Sequence, residues 1–161
     1  MLLRSDNVAG VSPEIMAAIV GAAQGEAQPY GDDSITARLE PLFQKLFDRD
    51  CVVVPVSSGI AANALGLSLL AGPLEAVVCH ANAHVATAEA GSVEFFSQGA
   101  RLSQLDDPDG RLHAETLERF LSGVDFQRAA TLVPRAVSVT EATELGTLYP
   151  VAEIEKIAAA G

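Results

Sequence analysis

An apolar run at residues 51–56 leads directly into a segment of small residues that ends at Asn63. Valine-rich runs of this length are typical of buried strands, and a cap-forming residue after such a run favours a helix start. Gly59 permits close approach of the backbone, and the first amides of a helix near Ile60 lack intrahelical partners. These amides lie at the positive end of the helix dipole, which attracts anions such as phosphate. An ordinary N-cap at Ser58 explains the same residues, so the turn alone leaves both interpretations open.

Strand-like and helix-like segments alternate along most of the sequence. The strand predictions are the short apolar runs at residues 51–56, 76–79, 100–105 and 136–140. Ser12 followed by Pro13 is a helix start signal, and helices are predicted at residues 15–23, 35–47, 60–70, 83–90, 114–121 and 151–160. Polar segments at residues 25–33 and 106–110 predict a loop and a turn. Apolar strands separated by helices favour an α/β fold, with a mainly parallel sheet and helices on both faces.

Composition narrows the classes of function. A chain of 161 residues with 49% hydrophobic residues is long enough for one domain with a sizeable core. Its net charge of -11 argues against a nucleic-acid-binding surface, which requires clustered Lys and Arg. No apolar run approaches the roughly 18 residues of a membrane span, and the first residues lack the apolar region of a signal peptide. We therefore expect a cytoplasmic protein without nucleic-acid or membrane partners.

The two cysteines, Cys51 and Cys79, both lie in strand-like runs. Neither has the spacing to other residues that a metal site requires. Buried free thiols in a reducing compartment are therefore expected, rather than a disulfide or a zinc site.

Several short motifs occur in a fixed order over nearly the whole chain. They are Arg4-Ser5-Asp6-Asn7, Tyr30-Gly31-Asp32-Asp33, Ser58-Gly59 with Asn63, Asn82-Ala83-His84 with Glu89-Ala90-Gly91, and Glu141 with Thr143 and Gly146. Together they resemble the L-threonine aldolase family, including its low-specificity members, within the wider group of beta-eliminating lyases. The resemblance implies the large domain of the aspartate-aminotransferase fold and pyridoxal 5'-phosphate as cofactor. It also implies an amino acid substrate of the threonine or phenylserine type, cleaved to glycine and an aldehyde.

The predicted topology and the resemblance point to one set of site residues. Ligands of parallel sheets bind beyond the carboxyl ends of the strands, where Gly59, His84 and Glu141 each follow a predicted strand. The resemblance makes His84 the residue that stacks on the cofactor ring and lies near the substrate hydroxyl. It assigns the cofactor phosphate to the turn formed by Ser58, Gly59 and Ile60. Taken alone, His84 is better explained as a histidine that forms local hydrogen bonds at a helix start.

Other polar residues receive weaker expectations. Glu141 could orient a ring substituent or a catalytic water, or be a solvated loop acid. Ser5 matches a family serine near the substrate carboxylate. Many relatives carry a histidine two residues before the loop glycine, where this chain has Glu144, and this difference argues against a catalytic histidine in that loop. His80 is expected to be structural and His113 to lie on the surface.

The resemblance also identifies family features that these residues lack. The family carries an Asp-Gly-Ala-Arg segment, whose Asp pairs with the pyridinium nitrogen, and a Lys that binds the cofactor covalently. Neither is present, and Lys45 and Lys156 do not match the position of that lysine.

We therefore expect residues 1–161 to be the N-terminal portion of the large domain, without the later strands and the C-terminal small domain. Such a portion is expected to be inactive alone and to form a homo-oligomer, a dimer or a tetramer. Two alternatives stay open: another pyridoxal-phosphate enzyme of this fold, such as a side-chain eliminating lyase, and a non-catalytic ligand-binding or interaction domain.

Overall fold

The computed structural model describes residues 8–128 and 131–161, and the chain divides into two compact units, Met1–Pro55 and Val56–Gly161. The first unit contains α1 (Pro13–Ala22), a 3-10 helix (Thr36–Arg38) and α2 (Leu39–Phe47). Ser12 caps α1, because its Oγ accepts a hydrogen bond from the amide of Ile15 at 3.4 Å. Among the described residues, no helix combines the length and the apolar character that a membrane crossing demands.

The helix predicted at residues 35–47 is confirmed, but its predicted buried face is wrong. The 3-10 helix and α2 together cover most of this range, and no residue of α2 is buried. Leu42 and Leu46, on the apolar face, are 61% and 71% exposed. A helical period identifies which side chains share a face, whereas burial requires a second element packed against that face.

The strand predicted at residues 51–56 is also wrong. These residues form no regular secondary structure, and Val52 and Val54 are 80% and 71% exposed. Cys51, expected to be buried, is partly exposed. A strand requires a neighbour that pairs with its backbone amides and carbonyls, and the sheet in the described part of the chain is built from other residues. The run therefore has strand propensity without a partner.

The second unit contains the sheet. Its strands are β1 (Glu75–His80), β2 (Arg101–Leu105) and β3 (Val133–Ser138), in the order β2-β1-β3, and both pairings are parallel. Its helices are α3 (Gly59–Ser68), α4 (His84–Thr87), α5 (Ser92–Phe96), α6 (Ala114–Ser122) and α7 (Val151–Ala160). The predicted parallel α/β architecture is confirmed, and the three remaining strand predictions lie within a few residues of the observed strands.

Alternate residues of β1 face two separate cores. Val77 and Cys79 pack in one cluster with buried residues of α4, α5 and the turns beside them. Val78 points to the other face and packs with buried residues that include Leu117 of α6 and Ile157 of α7. Helices therefore cover both faces of the sheet, as the pattern of apolar runs predicts. Cys79 is a fully buried free thiol, and burial raises its pKa to about 11.

The helix predicted at residues 83–90 is replaced by two short helices, α4 and α5. Ala90 and Gly91, with φ of 52° and 77°, lie between them in the left-handed region, which ends a right-handed helix. The turn predicted at residues 106–110 is confirmed. Gly110 has a φ of 79°, and a Cβ there would lie 3.0 Å from a methyl carbon of Leu145, so glycine suits this turn for two reasons.

Candidate active site

The carboxyl ends of the three parallel strands meet at one edge of the sheet. Cys79 of β1 is in register with Gln104 of β2 and with Ser138 of β3. The segments that follow each strand therefore start side by side, and they include His84 and Glu141. This arrangement is the one in which parallel sheets bind ligands.

The N-terminus of α3 provides backbone amides that can bind an anion. Ser58 is extended, with φ of -156° and ψ of 160°, and its Oγ accepts the amide of Ala61 at 3.2 Å. The first intrahelical hydrogen bond runs from the amide of Ala62 to the carbonyl of Ser58 at 3.1 Å. The amides of Gly59 and Ile60 precede that bond, and both residues are exposed. The predicted N-cap is therefore present, and it leaves two amides of the helix start for a ligand.

A buried carboxylate joins α3 to His84. Oε1 of Glu89 accepts a hydrogen bond from Nδ2 of Asn63 at 2.7 Å and lies 2.9 Å from Nδ1 of His84. The Glu89 side chain is only 1% exposed, whereas that of His84 is 44% exposed. One ring nitrogen of His84 thus contacts a buried carboxylate, whereas much of the ring is exposed to solvent.

Sequence reasoning assigned no role to Glu89 and Asn63, the other two residues of this cluster. Both occur in the motifs that carry the family resemblance, but neither motif indicates that they touch. They are 26 residues apart in the chain, and only the packing of α3 beside the turn that precedes α5 brings them together. Their presence in the same set of motifs was the one signal that could have singled them out.

His80 has the structural role that the sequence predicts. Its Nδ1 accepts a hydrogen bond from the amide of Asn82 at 2.9 Å. Nε2 lies 2.9 Å from the carbonyl oxygen and 3.1 Å from the amide nitrogen of Asp107. The buried ring therefore ties the end of β1 to the turn after β2.

Glu141 makes its contact within its own loop. One of its oxygens, Oε2, accepts the amide of Tyr149 at 3.0 Å, and the residue is exposed. Nearby, Oγ1 of Thr143 lies 2.7 Å from Oγ1 of Thr147 and closes the loop before α7. No hydrogen bond within the described ranges joins Glu141 to His84 or to Ser58. This geometry gives Glu141 a part in loop structure, and its catalytic role stays a prediction.

His113 is partly buried rather than on the open surface. Its side chain is 33% exposed, Nε2 lies 3.0 Å from Oδ1 of Asp109, and Nδ1 lies 3.6 Å from Oε1 of Glu153. The guanidinium of Arg111 pairs with the same aspartate and holds the pKa of Asp109 well below its usual range. This second histidine–carboxylate cluster anchors the start of α6, because the amide of Ala114 donates to Glu153 at 2.9 Å.

The two lysines lie on exposed helix surfaces. Lys156, on α7, is 66% exposed and lies 3.7 Å from Glu153. Lys45 is an exposed residue of α2 in the first unit. Neither position resembles a site for a covalently bound cofactor. Ser5, the predicted substrate contact, lies outside the described residues.

Comparison with known proteins identifies the family of the chain. The sequence profile of the family described as "Beta-eliminating lyase" matches residues 3–161. The chain belongs to the beta-eliminating lyase family. Among curated members, it is 40% identical over 156 residues to the low specificity L-threonine aldolase of Pseudomonas sp. (strain NCIMB 10558), and 39% identical over 155 residues to that of Pseudomonas aeruginosa. Each match covers 96% of this chain and 44% of the relative.

A yeast relative and a solved structure extend the comparison. The low specificity L-threonine aldolase of Saccharomyces cerevisiae is 28% identical over 159 residues, covering 98% of this chain and 40% of the yeast protein. The solved structure of Leishmania major threonine aldolase matches with a TM-score of 0.86 and 29% identity, over 97% of this chain and 45% of that protein. The chain therefore has the fold of this group of lyases and spans less than half the length of the relatives it matches.

The residues at the sheet edge fit the cofactor of this family in part. Two free amides at the start of α3 match the needs of a phosphate group, and an exposed imidazole anchored from below can lie flat against a pyridine ring. Lys156, the lysine of the second unit, lies on the exposed surface of α7 beside Glu153, and no hydrogen bond in the described residues joins it to His84 or to the start of α3.

Proposed function

We propose that this chain provides the phosphate-binding and ring-stacking part of a pyridoxal-phosphate lyase of the threonine aldolase type. The enzyme would cleave a β-hydroxy amino acid, such as threonine or phenylserine, to glycine and an aldehyde. One structural observation carries the proposal: His84 is anchored through Glu89 and Asn63 to α3, the helix whose first amides are free to bind phosphate. The similarity to three L-threonine aldolases over nearly the whole chain supports it.

Each site residue has a defined task in this proposal. The amides of Gly59 and Ile60, with the hydroxyl of Ser58 beside them, bind the cofactor phosphate. When bound, pyridoxal phosphate withdraws electrons from the Cα–Cβ bond that breaks. His84 orients the ring by stacking, and its Nε2 takes the proton of the substrate hydroxyl as the aldehyde carbonyl forms. Ser5 contacts the substrate carboxylate, and Glu141 shapes the loop after β3.

The assembly proposed with this function is a homo-oligomer, a dimer or a tetramer. Large apolar side chains such as Val52, Leu46 and Ile15 are exposed by 80%, 71% and 58%, and apolar surface of this kind favours association. The 161 residues alone are proposed to be inactive, because neither Lys45 nor Lys156 matches the position of the family's cofactor-binding lysine. Activity therefore has to be measured in a longer protein that contains such a lysine.

A chimera provides such a protein. This chain is joined to the part of the Pseudomonas sp. aldolase that lies beyond the matched region, and aldehyde release from threonine and phenylserine is measured. We expect activity, and we expect His84→Ala to lower turnover by about 100-fold or more, since ring stacking and a base are lost together. His113→Ala is the matched control, because its cluster lies at the start of α6, and it should change turnover by less than about twofold.

The same assay separates the alternatives. Release of a keto acid and ammonia from serine, without aldehyde release from threonine, would support a side-chain eliminating lyase. A folded chimera that binds no pyridoxal phosphate would support a non-catalytic ligand-binding or interaction domain. Equal activity of the His84→Ala variant and the unmodified chimera would remove His84 from the catalytic machinery.

A further inference from the structure

The carboxylate of Glu89 occupies an energetically unfavourable environment. Its side chain is 1% exposed, and burying a carboxylate is costly unless hydrogen bonds compensate it. Oε1 receives two close partners, Asn63 and His84, while Oε2 is 3.5 Å from the hydroxyl of Ser92. The next residue, Ala90, has a φ of 52°, a conformation that costs a non-glycine residue about 1 kcal/mol or more. The folded protein thus tolerates both a buried carboxylate and a strained backbone, and the carboxylate lies next to His84.

We propose that Glu89 is a positioning residue that fixes the tautomer and the orientation of His84. A carboxylate only accepts hydrogen bonds, so the 2.9 Å contact requires the proton of the neutral imidazole to lie on Nδ1. Nε2 then carries the free lone pair. Neutral imidazole has one proton for two nitrogens, and Glu89 therefore determines which nitrogen is available as a base.

Asn63 extends this control to the phosphate end of the site. It lies on α3, five positions after the capping Ser58, and its Nδ2 donates to the same oxygen that accepts from His84. A helix is stiff over such a distance, so the imidazole and the first amides of α3 are held at a set separation. Sites that are held in place before the ligand binds lose less free energy to ordering when it arrives.

A purely structural role for Glu89 makes a different prediction. A carboxylate that only ties α3 to the turn after α4 would affect stability when removed, but His84 would keep the tautomer that imidazole prefers in water. The tautomer of His84 is therefore the observation that distinguishes positioning from tethering. It can be read in the 161-residue chain without cofactor or substrate.

The test is a long-range proton–nitrogen correlation spectrum of the 161-residue chain at a pH where the imidazoles are neutral. The chain has three histidines, and His80 is an internal reference for the fold, because its buried ring contacts backbone groups of Asn82 and Asp107. We expect the Nδ1–H form for His84. An Nε2–H form for His84 in the unmodified chain would overturn the proposal.

Two variants sharpen the result. Glu89→Leu removes the acceptor with a side chain of similar size, and we expect His84 to change to mainly the Nε2–H form while the His80 signal persists and reports an intact fold. Asn63→Ala leaves the acceptor in place, so His84 should keep its Nδ1–H form. An unchanged His84 tautomer in a folded Glu89→Leu variant would contradict the positioning role.

The catalytic consequence rests on the proposed function and is measured separately. In the chimera, Glu89→Leu should lower kcat by about 10- to 100-fold with a smaller change in KM, as is typical when the support of a catalytic group is lost. Glu89→Gln, which keeps the shape and an acceptor oxygen, should recover part of that loss. A chimera without aldolase activity, in which His84 still has the Nδ1–H form, would refute the proposed function and leave the positioning role intact.

Discussion

Two valine-containing runs of six residues adopt different structures in this protein. Residues 75–80 form β1, the central strand of the sheet, and Val77, Val78 and Cys79 are completely buried. Residues 51–56 contain four valines and a cysteine, yet they form no regular element, and Val52 is 80% exposed. Side-chain composition gives both runs strand propensity. The difference shows that a partner on each side, rather than propensity, makes a central strand.

Each of the two runs leads into a candidate site segment. Residues 51–56 precede the helix start at Ser58 and Gly59, and β1 precedes His80 and His84. The two segments nevertheless meet, because Asn63 and Glu89 connect α3 to His84. The site thus depends on side-chain contacts made after the runs and not on pairing between the runs themselves.

The largest expected contrast concerns the two thiols. Cys79 is buried in β1 with a pKa raised to about 11 by burial, whereas Cys51 is partly exposed. Alkylation by iodoacetamide at about pH 8 should therefore modify Cys51 at least about 100-fold faster than Cys79, because the thiolate is the reacting form and access requires opening of the core. Mass spectrometry of the two peptides over time gives both rates. Equal rates in the native chain would mean that β1 is not buried in solution.

The next contrast is in stability. Val77→Ala removes two methyl groups from a fully buried site and should lower the free energy of unfolding by about 2 kcal/mol. Val54→Ala, at a side chain that is 71% exposed, should change it by less than about 0.5 kcal/mol. Urea unfolding followed by circular dichroism measures both. A similar loss in the two variants would show that residues 51–56 have a partner that their exposure does not reveal.

The smallest expected effect concerns the helix start after the exposed run. A Cβ at Gly59 would meet no atom within 4 Å, and its φ is not in the left-handed region. Gly59→Ala should therefore leave stability unchanged or slightly raised, since alanine favours helices. In the chimera, it should weaken binding of pyridoxal phosphate by about tenfold, because the methyl group hinders the approach of phosphate to the amides. Unchanged affinity in a titration would place the phosphate elsewhere.

Much of the fold could be predicted from local pattern. The cap at Ser58, the start of α1 at Pro13, the strand around Val77 and the turn at Gly110 all depend on residues close together in sequence. The break between α4 and α5 could not be predicted in this way, because Ala90 carries no local signal for a positive φ. The partial burial of His113 was missed for a related reason, since Glu153 lies 40 positions further along the chain.

By itself, the sequence determined most secondary-structure elements of the second unit, the two-faced apolar pattern of β1 and the motifs that place the chain among the beta-eliminating lyases. These features arise from short-range sterics, hydrogen bonding and side-chain periodicity. Tertiary structure alone decided that residues 51–56 form no strand and that Glu89 lies next to His84. Both outcomes depend on contacts between distant residues, such as the 2.7 Å hydrogen bond across 26 positions from Asn63 to Glu89. No local pattern encodes such a contact, because it exists only after the helices have packed against the sheet.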